Sequence, residues 1–124
     1  MKNREDIYKS VMDASYRVHS ALGPGLLENA YEECLFYELR KNNISVERQK
    51  PLPLIYEEVK LECGYRVDLL VENQVIVEIK SVEDLNNTHK AQLLTYLKLS
   101  GCKLGMLVNF NESALKNGMK RLIL

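Results

Sequence analysis

Two carboxylates and an ammonium stand at Asp68, Glu78 and Lys80, in the runs Tyr65-Arg66-Val67-Asp68-Leu69-Leu70-Val71 and Val75-Ile76-Val77-Glu78-Ile79-Lys80. Both runs are rich in Val, Ile, Leu and Tyr, and the polar Glu72-Asn73-Gln74 separates them, so they read as two strands of one hairpin. Alternation along a strand puts Glu78 and Lys80 on one face and Val75, Val77 and Ile79 on the other, while the hairpin brings Asp68 beside the pair. Charges on a half-buried sheet face are costly to desolvate unless they pair or bind a cation. The triplet therefore points either to a site or to a salt-bridged surface patch of the kind many solvated strands carry.

Several elements must position these side chains. Ile7, Val11, Ala14, Val18 and Leu22 recur at helical spacing and predict a helix over Asn3–Leu22, with Asn3 as N-cap and Glu5 and Asp6 in the first turn. Gly23-Pro24-Gly25 ends it, a second helix is expected from about Leu26 to Lys41, and Asn42-Asn43 closes that one. The stretch Ile44–Tyr56 reads as a first strand, at a sheet edge or interrupted, because Pro51 and Pro53 lie inside it. After the hairpin, Asn86-Asn87-Thr88 caps a helix that runs to about Ser100, with Gly101 as its stop. Leu104–Phe110 is expected as a buried strand, and Met119–Leu124 as a last strand or tail. Three antiparallel strands and a helical crossover to a fourth imply an α/β fold, a mixed central sheet flanked by helices, in one domain over residues 1–124.

On the second helix Glu28 shares a stripe with Tyr31, Leu35 and Leu39 and so begins the face that packs on the sheet; it is also a first-turn acid of the sort that favours a helix dipole. On the third helix His89, Gln92 and Tyr96 share a polar stripe, either the solvent side or the wall of a pocket. The chemistry these residues suggest is phosphodiester hydrolysis. Carboxylate oxygens select hard cations, so Glu28, Asp68 and Glu78 would hold magnesium or manganese, with the Ile79 carbonyl as a further ligand. Lys80 would orient or deprotonate the attacking water or contact the phosphate, and Arg66 would bind a neighbouring phosphate or serve as a counter-ion.

Asp68 followed by Glu78-Ile79-Lys80 resembles the D…(E)-x-K signature of the PD-(D/E)XK nuclease superfamily. Gly25-Leu26-Leu27-Glu28-Asn29-Ala30-Tyr31 matches the G-x-x-E-x-x-Y motif of a bacterial and archaeal family in that superfamily, and Gln92-Leu93-Leu94-Thr95-Tyr96 is similar to the Q-x-x-x-Y element of RecB-type exonucleases. The resemblance covers nearly the whole chain. It implies a restriction-endonuclease-like α-β-β-β-α-β core with a metal site at one end, Glu28, Asp68 and Glu78 as metal ligands, Lys80 as the catalytic lysine, and Gln92 and Tyr96 in support. Val67 departs from the pattern, standing where the superfamily name has proline.

Composition narrows the partners. Among 124 residues, 17 basic and 17 acidic side chains cancel, which argues against tight non-specific DNA binding yet leaves room for a local basic rim. Cys34, Cys63 and Cys102 form no disulfide frame or zinc pattern, and no stretch approaches a membrane span, so reduced thiols in a cytoplasmic protein are expected. Three functions remain: a metal-dependent nuclease acting on DNA or RNA, a non-catalytic nucleic-acid-binding or assembly module that kept the fold, and a structural or interaction protein, as a homodimer, with a salt-bridged face.

Overall fold

Val75-Ile76-Val77-Glu78-Ile79 and Leu104-Gly105-Met106-Leu107-Val108 carry almost no alternation of polar and apolar residues, and strands of that composition must be covered on both faces. They lie at the middle of the sheet. The computed structural model describes residues 2–124, so Met1 falls outside the description. Its elements in chain order are α1 (Arg4–Leu22), α2 (Glu28–Lys41), β1 (Val46–Pro51), β2 (Leu54–Tyr56), β3 (Val59–Leu61), β4 (Arg66–Val71), β5 (Val75–Lys80), α3 (Asn87–Ser100), β6 (Leu104–Asn109), a short 3-10 turn (Leu115–Gly118) and β7 (Met119–Ile123).

The main sheet has the order β1-β4-β5-β6-β7, with β5 and β6 parallel and every other pair antiparallel. Helix α3 supplies the crossover between the parallel strands, as a parallel pair requires. Helices α1 and α2 cover one face through a core that includes Ile7, Val11, Tyr31, Leu35, Leu69, Val77, Ile79 and Phe110. Helix α3 covers the other through Leu93, Tyr96 and Leu97 on Val67, Leu70, Ile76 and Leu107. The fold is the mixed α/β core the sequence implies.

Capping residues set the helix ends. Asp6 N–H donates to the Asn3 side chain at 2.9 Å, Asn86 and His89 cap α3 reciprocally, and Gly101 ends α3 at φ 78, a left-handed backbone that glycine adopts without strain. Helix α2 starts at Glu28 itself, two residues after the expected start near Leu26.

The strand expected over Ile44–Tyr56 is cut at Pro51-Leu52-Pro53. A prolyl nitrogen cannot donate to a ladder, so the chain leaves the main sheet there. It forms a separate two-stranded ribbon of β2 and β3, whose turn places Glu57 and Glu58 at φ 46 and 71. The second strand of this ribbon went unread because Val59-Lys60-Leu61 is too short to show a period.

Candidate active site

Pairing between β4 and β5 runs Val71↔Val75, Leu70↔Ile76 and Leu69↔Val77, and stops there. The next residues are Asp68 and Glu78, and their carboxylates take over the role of the ladder. Asp68 N–H donates to Glu78 Oε2 at 2.7 Å, and Ile79 N–H donates to Asp68 Oδ2 at 2.8 Å. Each acid is thus clamped by the backbone of the other's strand. Side-chain alternation also breaks at this point, since Val67 packs with α3 while Leu69, two residues on, packs beneath α1 and α2. The break removes the parity that would align Arg66 with Asp68; Arg66 is exposed at the start of β4.

Glu78 is 3% exposed and Asp68 half-buried. Burial, followed by the charge of Asp68, pushes the Glu78 carboxyl from 4.5 up to about 8. Burial likewise raises Asp68 from 3.8 to about 6, with Glu32 adding to the rise and the Ile79 N–H and Lys80 opposing it. Two acids this close, one buried and one half-buried, cannot both ionise at low cost. Lys80, half-buried at the end of β5, acts on both acids without cancelling their desolvation.

Tyr96 is buried on α3 with its ring edge-on to Tyr65, and its phenol is pushed up by burial and then by the charges of Glu78 and Asp68. Gln92 is exposed one turn earlier, with its amide beside that phenol. Glu28 does not join Asp68 and Glu78: its exposed carboxylate accepts from Ser81 N–H at 3.2 Å, just past Lys80. Tyr31 explains the spacing of the motif. Its hydroxyl donates to the Gly23 carbonyl at 2.5 Å and accepts from Leu26 N–H at 3.1 Å, while its ring stacks on Phe110 at 4.6 Å. The loop that delivers Glu28 is braced from within the core. Asn109, fully buried, exchanges two hydrogen bonds with Val82 at 3.1 and 2.9 Å and so holds the chain that leaves Lys80.

The sequence reasoning passed over three residues. Glu32, 5% exposed, accepts from Arg48 Nε at 2.5 Å and from Gln49 Nε2 at 2.8 Å, and the same Gln49 amide reaches Asp68 Oδ1 at 3.3 Å. Glu32 follows Glu28 by four residues, so the shared helix face was available as a signal. Gln49 carried none, because its geometry arises from the backbone.

Among the described residues no three His, Cys, Asp or Glu side chains are gathered to hold one ion. What the donors fit is a hard divalent cation on the Asp68–Glu78 pair. Ile79 N–H points toward β4, and a strand residue's carbonyl faces the same side as its N–H, so the Ile79 carbonyl opens onto the gap where pairing has ended. Carboxylate and carbonyl oxygens are the donors that suit a hard divalent cation. A cavity of about 290 Å³ between α1 and α2 is lined by Val18, Leu22, Cys34 and Tyr37 with Glu33 and Glu38, and by neither Asp68 nor Glu78, so it is separate from the acid pair.

No helix of the described residues is long and apolar enough to cross a membrane. No curated protein matches the sequence. A solved structure titled "Crystal structure of SSO0001" is similar in fold, with a TM-score of 0.55 and 23% identity, over 94% of this chain and 57% of that one. The chain thus spans little more than half the length of that structure. The profile of the PD-(D/E)XK nuclease superfamily matches residues 5–122, almost the entire chain. With Asp68 and Glu78 interlocked at the splayed ends of two strands and Lys80 beside them, the chain belongs to the PD-(D/E)XK nuclease superfamily.

Proposed function

We propose that this protein is a metal-dependent nuclease of the G-x-x-E-x-x-Y group that hydrolyses phosphodiester bonds of DNA. The observation that carries the reading is the Asp68–Glu78 pair, buried, locked by reciprocal backbone bonds and short of positive charge. Asp68, Glu78 and the Ile79 carbonyl would hold Mg²⁺ or Mn²⁺, while Glu28, held on Ser81 N–H just past β5, would have to swing toward them to become a further ligand. A divalent ion bound there supplies charge neutralisation for the phosphate and a water of lowered pKa.

The chain's own groups do the rest. Lys80 Nζ orients the attacking water or receives its proton, and its Cα lies two residues from Glu78 on the same strand, so the side chain starts from a fixed point beside the pair. Tyr96 and Gln92 wall the pair from the α3 side, with the phenol oxygen as a donor to a phosphate oxygen. Arg66, exposed at the mouth, offers a guanidinium to a neighbouring phosphate.

Purified protein incubated with plasmid DNA and Mg²⁺ or Mn²⁺ should produce cleavage that EDTA stops and that Asp68→Ala abolishes while the circular dichroism spectrum is kept. Cleavage that survives Asp68→Ala would point to a contaminating enzyme and sink the proposal. One observation favours a second reading, a non-catalytic nucleic-acid-binding module: Glu28 stands apart from the pair and the acids gather as two rather than three. DNA binding without cleavage by the wild type would select it.

A further inference from the structure

Strand β1 pairs with β4 through Arg48↔Leu69 and Lys50↔Val67, which leaves Gln49 opposite Asp68. Gln49 has φ 53, a left-handed backbone in the middle of a strand. For a residue with a side chain such a conformation is sparsely populated and persists only where its surroundings over-determine it. Here they do. Gln49 Nε2 donates to Glu32 Oε1 at 2.8 Å and to Asp68 Oδ1 at 3.3 Å. Glu32 is itself held by Arg48, whose guanidinium also reaches Asn29 Oδ1 at 2.7 Å and Glu33 Oε1 at 3.5 Å. A hydrogen-bonded chain therefore runs from α2 through Glu32 and Gln49 to Asp68. The second oxygen of Asp68 is on Ile79 N–H, so both ends of the carboxylate are fixed and its plane cannot rotate.

We propose that Gln49 is a positioning residue for Asp68: its amide holds Oδ1 in the orientation that presents the remaining lone pairs of the acid pair to a divalent cation. This rests on the proposed reading of Asp68 and Glu78 as a metal site. The left-handed turn of the backbone is the device that brings a β1 side chain across to an acid on the neighbouring strand, where an extended residue would continue the alternation of Arg48 and Lys50.

The test combines calorimetric titration of Mn²⁺ with urea unfolding in EDTA, on the wild type, Gln49→Gly and Gln49→Asn. Glycine takes φ 53 without strain, so Gln49→Gly relieves the backbone while removing the side chain and its bonds to Glu32 and Asp68. Its Mn²⁺ affinity should fall ~10-fold or more, the usual cost of losing a partner that orients a metal ligand, while its urea midpoint stays close to that of the wild type, the relieved φ offsetting the lost bond to Glu32. Asparagine keeps an amide and tolerates the left-handed region, and should recover part of the affinity. On plasmid DNA the loss should appear in kcat with KM retained. Gln49→Gly that binds Mn²⁺ within about twofold of the wild type overturns the inference alone. A parallel drop in urea midpoint assigns Gln49 a structural role and also overturns it. A wild type that takes up no Mn²⁺ overturns the metal-site reading, and the inference with it.

Discussion

Replacing Glu78 by glutamine should make the metal-free protein more stable above neutral pH and abolish cleavage at the same time. Glutamine has the volume of glutamate and keeps an oxygen to accept from Asp68 N–H, so packing and the clamp survive. What disappears is a buried negative charge. The Glu78 carboxyl rises from 4.5 to about 8 on folding, and Asp68 moves the same way, from 3.8 to about 6. A folded value above the unfolded one means that the native state holds a proton the unfolded chain has released. Native stability is then unpenalised below the unfolded value and falls as the pH rises through the folded one. The decline for Glu78 starts near 4.5 and is complete just above about 8.

A rise from 4.5 to about 8, at ~1.4 kcal/mol per pH unit, sets a ceiling of roughly 5 kcal/mol. Local relaxation and water entry reduce such penalties, so Glu78→Gln should gain about 2–3 kcal/mol at high pH. Urea unfolding in EDTA at about pH 5 and about pH 8.5 measures this directly, since those values lie on either side of the titration. The two proteins should differ by less than about 1 kcal/mol at the acidic point and by the full amount at the alkaline one. Equal midpoints at both pH values, or a variant weaker than wild type at the alkaline one, would refute the argument that the pair stores electrostatic repulsion.

Other substitutions probe the supports of the site. Tyr31→Phe removes the partner of the Gly23 carbonyl and of Leu26 N–H; it should cost ~1–2 kcal/mol in urea unfolding and slow plasmid cleavage through the loosened Glu28 loop. Arg48→Ala strands the buried carboxylate of Glu32 and should cost ~2–3 kcal/mol, most of it recovered when Glu32→Gln is added, as a double-mutant cycle would show. Gly118→Ala places a Cβ 2.5 Å from the Asn109 carbonyl oxygen, so the backbone must move; a loss of ~1–3 kcal/mol is expected by thermal or urea unfolding.

The parts of this molecule that were legible in its sequence are those that follow from local periodicity. The uniform apolar runs at Val75–Ile79 and Leu104–Val108 identify the central strands, and Asn3, Asn86 and Gly101 mark helix ends by cap chemistry that acts within four residues. Asp68 and Glu78 were legible as neighbours because a hairpin turn fixes register. Simple alternation does not carry past Asp68: Val67 and Leu69 pack on opposite sides of the sheet where β4 stops pairing with β5, although its ladder to β1 continues to Arg66. Glu28 was expected to meet Asp68 on the evidence of a helical stripe, but as the first residue of α2 it lies at the level of Ser81, past the end of β5. The acid that does lie against Asp68 is one turn further into the helix, at Glu32. Gln49 was out of reach altogether, since a positive φ at a glutamine is imposed by tertiary contacts and leaves no local signature.

The cost of the site is carried by its periphery. Asp68 and Glu78 oppose folding at neutral pH, Gln49 sits in an unfavourable backbone region, and Glu32 is a buried acid. Each of these is offset by a neighbour outside the acid pair: the two backbone N–H clamps, the Glu32 and Asp68 oxygens around the Gln49 amide, and the Arg48 guanidinium. The offsets differ in kind. Arg48 and the clamps fix geometry in the absence of any ligand, whereas the charge of the pair itself is relieved by a bound proton or, on the proposed reading, by a cation. A chain selected for stability alone would carry glutamine or leucine at position 78, between strands that already pack without it. The carboxylate at position 78 is therefore a feature that stability alone does not favour, and the proposed cation site would account for it.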